Sequence, residues 1–379
     1  MKIAIIYDMI YPFNVGGAEI RNWEIAIRLA KNNEVHLFGF QLWDGPSVIK
    51  RDGVTIHGVC KYSKFKRGYR TIWESVKFSL FLFWPLKREK FDIIDTSSFA
   101  YFHCFTCKAV SILNKTPLVF VWHQYWGDYW YSYLGGIKGF VGKQIEKIVK
   151  YLTKNHITVS QTTKCDLITA GVDKNNIFVN YNGVDFSKIN SVSVDKKEFD
   201  LIFVGRLTHQ KNISLLIKST ALLKATFPNI RVAIVGEGPI ENKLKKLAQN
   251  LGLEKNITFF AFLDDLKDVY KKIKSAKVFV LPSVLEGFGI VVVEAYACGL
   301  PVVVVKSKWN ASIELIDVGK TGFIAENDEK DLAQKIKTIL DNPDLLEKMS
   351  QNSLQKAQQF DWDNLVSDLE KYYLGIIKK

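Results

Sequence analysis

Long apolar runs are missing from this sequence. The longest, FSLFLFWPL at residues 78–86, is about half of what a helix needs to cross a bilayer. The opening MKIAIIYD is too short in apolar residues for a signal peptide and reads as a strand, so a soluble or peripheral cytoplasmic protein is expected. Cysteine is scarce as well. Five of them, Cys60, Cys104, Cys107, Cys165 and Cys298, are odd in number and scattered, which argues against a disulfide framework and fits a reducing compartment. Cys104 and Cys107 form the one close pair, CFTC, and neither a second pair nor histidines follow at ligand spacing. Buried thiols are therefore expected there in place of a metal site. The chain has only nine prolines, no low-complexity tract and no repeat at solenoid periods, so it is globular. With 379 residues it exceeds the size of one hydrophobic core, and two domains are expected.

Negative charge is in deficit: the formal net charge is +13. Residues 61–90, bounded by Lys61 and Lys90, carry nine Lys or Arg against two Glu, interleaved with Phe, Tyr and Trp. Such a mixture suits an anionic membrane surface or a lipid-linked acceptor, or single-stranded nucleic acid. A plain amphipathic helix that packs its aromatics inward is the third reading. Nucleic acid is not the expected partner.

Strand-like and helix-like segments alternate along the chain, the pattern of parallel α/β architecture. Strands are expected at 3–7, 35–40, 54–59, 93–96, 118–122 and 157–160, and a helix at 18–32, AEIRNWEIAIRLAKN. A second series begins at FDLIFVGR and continues through RVAIVG, ITFFAF, KVFVLPS and PVVVVK. Between the series lies NGVDFSKINSVSVDKKE, polar and turn-rich, the expected linker. The expected boundaries are 1–185, 186–360 and a final helix, 361–379, that crosses back to the first domain. Such sheets bind ligands outside the carboxyl ends of their strands.

Those strand ends hold the candidate chemistry. NVGGAE places Gly16 and Gly17 just ahead of a helix, where backbone amides can approach a phosphate. It is not G-x-G-x-x-G, which counts against a dinucleotide enzyme. VGRLTHQKN puts Arg206 and Lys211 in a strand-to-helix loop, suited to a diphosphate or simply solvated. GEGP, from Gly236, again follows a strand and opens a helix. In SVLEGFGIVVVEAYACGLPVVV, Glu286 sits on a turn and Glu294 lies over one turn into the following helix. Glu294 either grips a vicinal diol, or it caps the helix or pairs with a lysine, because a carboxylate among Val, Ala and Tyr is costly to bury without a partner.

With GGAE, GRLTHQKN, GEGP, E-x7-E and TGF in that order, the chain resembles the retaining glycosyltransferases of family 4. The likeness runs along essentially the whole chain and is strongest over residues 200–325. It implies the GT-B fold, two Rossmann-like parallel α/β domains facing across a cleft. It further implies that Gly16 and Gly17 approach the donor phosphate, that Arg206 and Lys211 neutralise the diphosphate, and that Gly236 lines the donor site. Glu286 would hold the transferred sugar beside the amides of Gly287, Phe288 and Gly289. Glu294 would bind the nucleotide ribose, the base would rest near Ala261, and His123 would stand near the reacting sugar.

The expected reaction moves a hexose or N-acetylhexosamine from a nucleotide sugar to a glycan or lipid-linked acceptor. No cofactor is expected, and no metal, since no well-placed Asp-x-Asp occurs and the DD at Asp264 and Asp265 reads as a helix start. The aromatic run HQYWGDYWYSYLGG offers Trp126, Tyr129 and Trp130 as acceptor-stacking residues. A GT-B epimerase or phosphorylase, and a non-catalytic sugar-nucleotide or membrane-binding relative, are the alternatives.

Overall fold

The computed structural model describes residues 1–62, 71–263 and 265–378. The chain divides into two compact units, Met1–Asn182 with Trp362–Lys379, and Gly183–Asp361.

The first unit holds a sheet of eight strands among the described residues: β1 (Lys2–Ile6), β2 (Glu34–Gln41), β3 (Val48–Arg51), β4 (Val54–Lys61), β5 (Ile93–Ser97), β6 (Leu118–Trp122), β7 (Asn155–Thr158) and β8 (Ile177–Val179). Their order is β3-β4-β2-β1-β5-β6-β7-β8. Only the β3–β4 pair is antiparallel; the other pairs are parallel. Burial on both faces explains the near-continuous apolar runs of the central strands: β6, LVFVW, is buried throughout. The connecting helices are α1 (Gly17–Leu29), α2 (Ile72–Arg88), α3 (Phe102–Asn114), α4 (Tyr129–Leu134), α5 (Gly136–Val149) and α6 (Gln161–Thr169).

The expected strand at 157–160 lies earlier, at β7. Ser160 instead caps α6, its side chain accepting from Thr163 N, and an extended N-cap residue ends a strand as readily as it starts a helix. Two short strands, β3 and β8, were not expected, because four and three residues show too little alternation to register. Cys104 and Cys107 lie fully buried in the core and all five cysteines are free thiols.

The second unit has β9 (Phe199–Val204), β10 (Val232–Val235), β11 (Ile257–Phe260), β12 (Ala276–Leu281), β13 (Leu285–Glu286), β14 (Val302–Val305), β15 (Trp309–Asn310) and β16 (Gly322–Ala325). Six of these form one sheet, ordered β11-β10-β9-β12-β14-β16 and parallel throughout. Strands β13 and β15 pair with each other apart from it. The sheet order is that of a doubly wound nucleotide-binding fold, reversing direction between β9 and β12. Helices α7 (Phe186–Asn190), α8 (Ile213–Lys224), α9 (Glu241–Asn250), α10 (Leu266–Lys274), α11 (Ile290–Ala297), α12 (Glu329–Leu340) and α13 (Pro343–Ala357) complete the unit.

The expected linker turns out to carry α7, with Ile189 and Val192 buried. Those apolar side chains were hidden among turn-forming residues. Asp265 caps α10 through Lys267 N, a helix start as read from the DD pair; Asp264 lies outside the described residues. The final helix, Trp362–Ile377, belongs to the first unit.

Candidate donor and acceptor sites

The loops at the reversal point between β9 and β12 carry Arg206, Lys211 and Glu286. Gly205 and Arg206 follow β9, and Ser283 to Gly289 follow β12. Lys211 Nζ donates to Glu286 Oε1 at 2.6 Å, and both side chains are largely shielded. The backbone locks the two segments together, since Val284 N donates to Gln210 O at 2.9 Å. Arg206 is exposed, with no ion-pair partner among the described residues. One cation is thus held against the carboxylate and the other stands free.

Gly289 is the N-cap of α11 at φ +87°, a left-handed conformation that favours glycine. A Cβ there would lie 2.8 Å from Ser312 Cβ. Phe288 is buried and its ring meets Phe360 at 6.0 Å, so its amide, not its side chain, is what it can offer. Glu294, one turn into α11, is 7% exposed. Burial pushes its carboxyl up to about 7, and no side-chain hydrogen-bond partner exists among the described residues. The alternative of a lysine partner is thereby removed. A buried carboxylate lacking a partner is a costly arrangement that a ligand's hydroxyls can relieve.

Gly236 ends β10 at φ +135°, and a Cβ on it would stand 2.1 Å from Gly205 O. That contact keeps the β9 and β10 loops close. Ala261 follows β11 and is exposed beside Phe262, whose amide donates to Glu237 Oε1 at 3.2 Å.

In the first unit, Gly16 caps α1 and Gly17 opens it. Glu19 turns back on this loop and accepts from Asn14 Nδ2 at 2.6 Å, so the acid of GGAE holds the loop shape. His123 follows β6, half-buried, with Nε2 3.1 Å from Ser97 Oγ and its ring 6.3 Å from that of Tyr7.

These features match known proteins. The family profile described as "Glycosyltransferase Family 4" covers residues 15–188, and that of "Glycosyl transferases group 1" covers residues 185–356. The chain belongs to the family 4 glycosyltransferases. An α-1,4-N-acetyl-D-galactosaminyltransferase of Campylobacter jejuni, named for a diNAcBac-PP-undecaprenol-linked acceptor, is 26% identical over 100% of this chain and 98% of its own. Among solved structures, the sucrose-phosphate synthase of Thermosynechococcus elongatus superposes with a TM-score of 0.82 at 18% identity, covering 100% of this chain and 99% of that one. Anabaena Alr3699/HepE in complex with UDP and glucose superposes at 0.77 and 20% identity, covering 98% and 99%. Each unit of this glycosyltransferase thus carries the GT-B architecture's Rossmann-like sheet.

The aromatic run of this glycosyltransferase divides. Trp130 is buried, with its ring 4.7 Å from Trp126 and 6.0 Å from Tyr101. It cannot stack on a sugar, because its faces are already taken. Trp126 and Tyr129 are half-buried and meet edge-on at 5.4 Å, so they retain some open surface. Glu146, fully buried, fixes this loop by accepting from Trp126 N (2.9 Å), Gly127 N (2.8 Å) and Tyr101 Oη (2.7 Å).

Glu146 was not anticipated. Its one legible signal is the glycine pair Gly139 and Gly142 on the same helix, where a Cβ would strike Trp130 at 2.7 and 2.5 Å. Asn310 was missed too. Wholly buried, it donates to Ser283 O and Val305 O (3.0 and 2.7 Å) and accepts from Ser312 N and Oγ (3.0 and 2.6 Å). It thereby braces the loop that bears Glu286 from behind.

The described part of the basic segment shows α2 burying Phe78, Leu82 and Leu86 while Trp73, Leu80, Phe81 and Trp84 stay exposed. Residues 63–70 of that segment lie outside the described residues. Inward packing accounts for only one face. Among the described residues no helix is long and apolar enough to cross a membrane.

Proposed function

We propose that this enzyme transfers a hexose or N-acetylhexosamine from a UDP- or GDP-sugar to a glycan or lipid-linked acceptor, with retention of configuration and without a metal, in surface polysaccharide, glycolipid or protein-glycan synthesis. The observation that carries the reading is the Lys211–Glu286 pair beside the start of α11. A diphosphate draws Lys211, and the sugar hydroxyls engage the carboxylate it leaves. Arg206, exposed on the same loop, adds a second positive charge.

The bond from the anomeric carbon to the diphosphate oxygen breaks, and a bond to the acceptor oxygen forms on the same face. The acceptor's proton passes to the departing phosphate. Negative charge grows on that phosphate as the sugar becomes oxocarbenium-like, so cations and helix N-termini fixed beforehand lower the barrier. Glu294 takes the ribose diol, and Ala261 leaves room for the base. The amides after Gly16 serve the donor phosphate, while His123 and the surface of Trp126 and Tyr129 serve the reacting sugar and acceptor. Trapping a glycosyl-enzyme adduct would overturn the same-face route.

The exposed Trp73, Phe81 and Trp84 of α2, with Lys87 Nζ 5.1 Å from the Trp84 ring centroid, support seating on an anionic cytoplasmic membrane face. The UDP complex of Anabaena Alr3699/HepE and the undecaprenol-linked name of the Campylobacter relative support the donor and acceptor classes.

Thermal stabilisation against UDP, GDP, ADP and their sugars, with EDTA present, tests the reading. One nucleotide is expected to raise the melting temperature of the wild type and not of Glu294→Ala. Silence of the wild type toward every nucleotide would refute it.

A further inference from the structure

At the amino-terminal end of the first unit's strands, away from the strand ends that carry His123 and Gly16, two histidines and two acids converge. His36 Nδ1 and His57 Nε2 share a hydrogen bond at 2.8 Å. Glu89 Oε2, at the carboxyl end of α2, stands 3.5 Å from His36 Nδ1. The three ligand atoms lie within 4.8 Å of one another, and both imidazoles are buried. On the far side of its ring, His36 Nε2 meets Glu34 Oε1 at 2.9 Å. The ring of Phe38 stacks on His57 at 4.3 Å, and Phe91 meets His36 edge-on at 5.2 Å.

We propose that His36, His57 and Glu89 bind a divalent transition-metal cation, zinc foremost, with Glu34 orienting His36 from behind. Two imidazole nitrogens and one carboxylate oxygen are a zinc donor set, leaving a fourth position for water. Tetrahedral zinc with bonds of about 2.1 Å places its nitrogens about 3.4 Å apart, so the rings need separate by only about 0.6 Å. Coordination requires each neutral ring to carry its single proton on the outer nitrogen, so the one proton between the rings moves to the outer nitrogen of the ring that donated it. His36 Nε2–H then donates to Glu34, the carboxylate–histidine–metal relay that fixes ring orientation in such sites. Lys2 Nζ lies 2.8 Å from Glu89 and 2.9 Å from Glu34. It competes with the metal for Glu89 and keeps Glu34 as its partner. The bound ion would tie β2 and β4 to the end of α2.

The test uses the full chain, stripped with chelator and titrated with Zn2+ and Co2+. One equivalent of zinc is expected, with visible cobalt bands of a low-coordinate imidazole site and a raised melting temperature. Affinity should fall at least tenfold in Glu89→Gln, about 10- to 100-fold in Glu34→Gln, and be lost in His57→Gln. Glu89 is partly exposed at a helix end, so its variant keeps the test decisive should the buried histidine variant misfold. A wild type that takes up no stoichiometric zinc, or a Glu89→Gln variant that binds as tightly as wild type, would overturn the proposal.

Discussion

A single proton on Glu294 couples the donor site to stability. The folded chain holds that proton up to about pH 7, whereas the ordinary carboxyl value is 4.5. Between those values the folded state binds more protons than the unfolded one, so stability is present at low pH and shed as pH rises. The full loss is about 3 kcal/mol, from 1.36 kcal/mol per pH unit. Urea unfolding at about pH 5 and about pH 8 should therefore show the wild type weakening across that interval and Glu294→Gln weakening less by a like amount. Equal slopes for the two proteins would mean that the carboxyl is already ionised in the apo fold. The residue scale was partly legible: E-x7-E marked both acids, but the pairing of Glu286 with Lys211, 75 positions apart, came only from folding. Trp130 shows the opposite error. Its aromatic context read as an open surface, and the glycines of α5 let it sink into the core.

At the scale of elements, the donor loop is made by glycines whose neighbours come from elsewhere. Gly289→Ala places a Cβ at 2.8 Å from Ser312 and forces a left-handed residue to carry it, which costs roughly 1–2 kcal/mol before any clash. Nucleotide affinity is expected to fall about tenfold while circular dichroism stays unchanged; isothermal titration measures it, and unchanged affinity would show that the α11 terminus takes no part in binding. Long strands were legible because burial on both faces writes apolar runs into the sequence. The two-residue strands β13 and β15 were not, because their pairing rests on Asn310, whose four hydrogen bonds reach from Ser283 to Ser312. The Asn-Ala-Ser spelling signals a cap, and nothing local signals a brace.

At the scale of the whole molecule, the last helix completes the first unit. Tyr373 Oη donates to Asp95 Oδ2 at 2.5 Å, and burial raises that carboxyl to about 6. The buried Arg21 guanidinium donates to Tyr181 O, Asn182 Oδ1 and Asn180 Oδ1, and Asn180 Nδ2 in turn donates to Leu365 O. Trp362, Leu365, Val366, Leu369 and Tyr373 are all buried. At roughly 1.5–3 kcal/mol for each buried side chain, truncation after Asp361 removes about 10 kcal/mol, comparable with the stability of an ordinary domain. The truncated chain should lose the cooperative melting of the first unit while the second still unfolds as one. Differential scanning calorimetry checks this, and two intact transitions would sink it.

The sequence by itself determined the alternation of strand and helix, the loops that carry charge, and the family, because these depend on local spacing and on residue types a short segment must supply. Tertiary structure decided which charges meet, which aromatics are buried, which residues the last helix packs against, and that His36, His57 and Glu89 share one small volume. Contacts between residues far apart in the chain leave no periodicity to read. They exist only once the sheets have set their strand order.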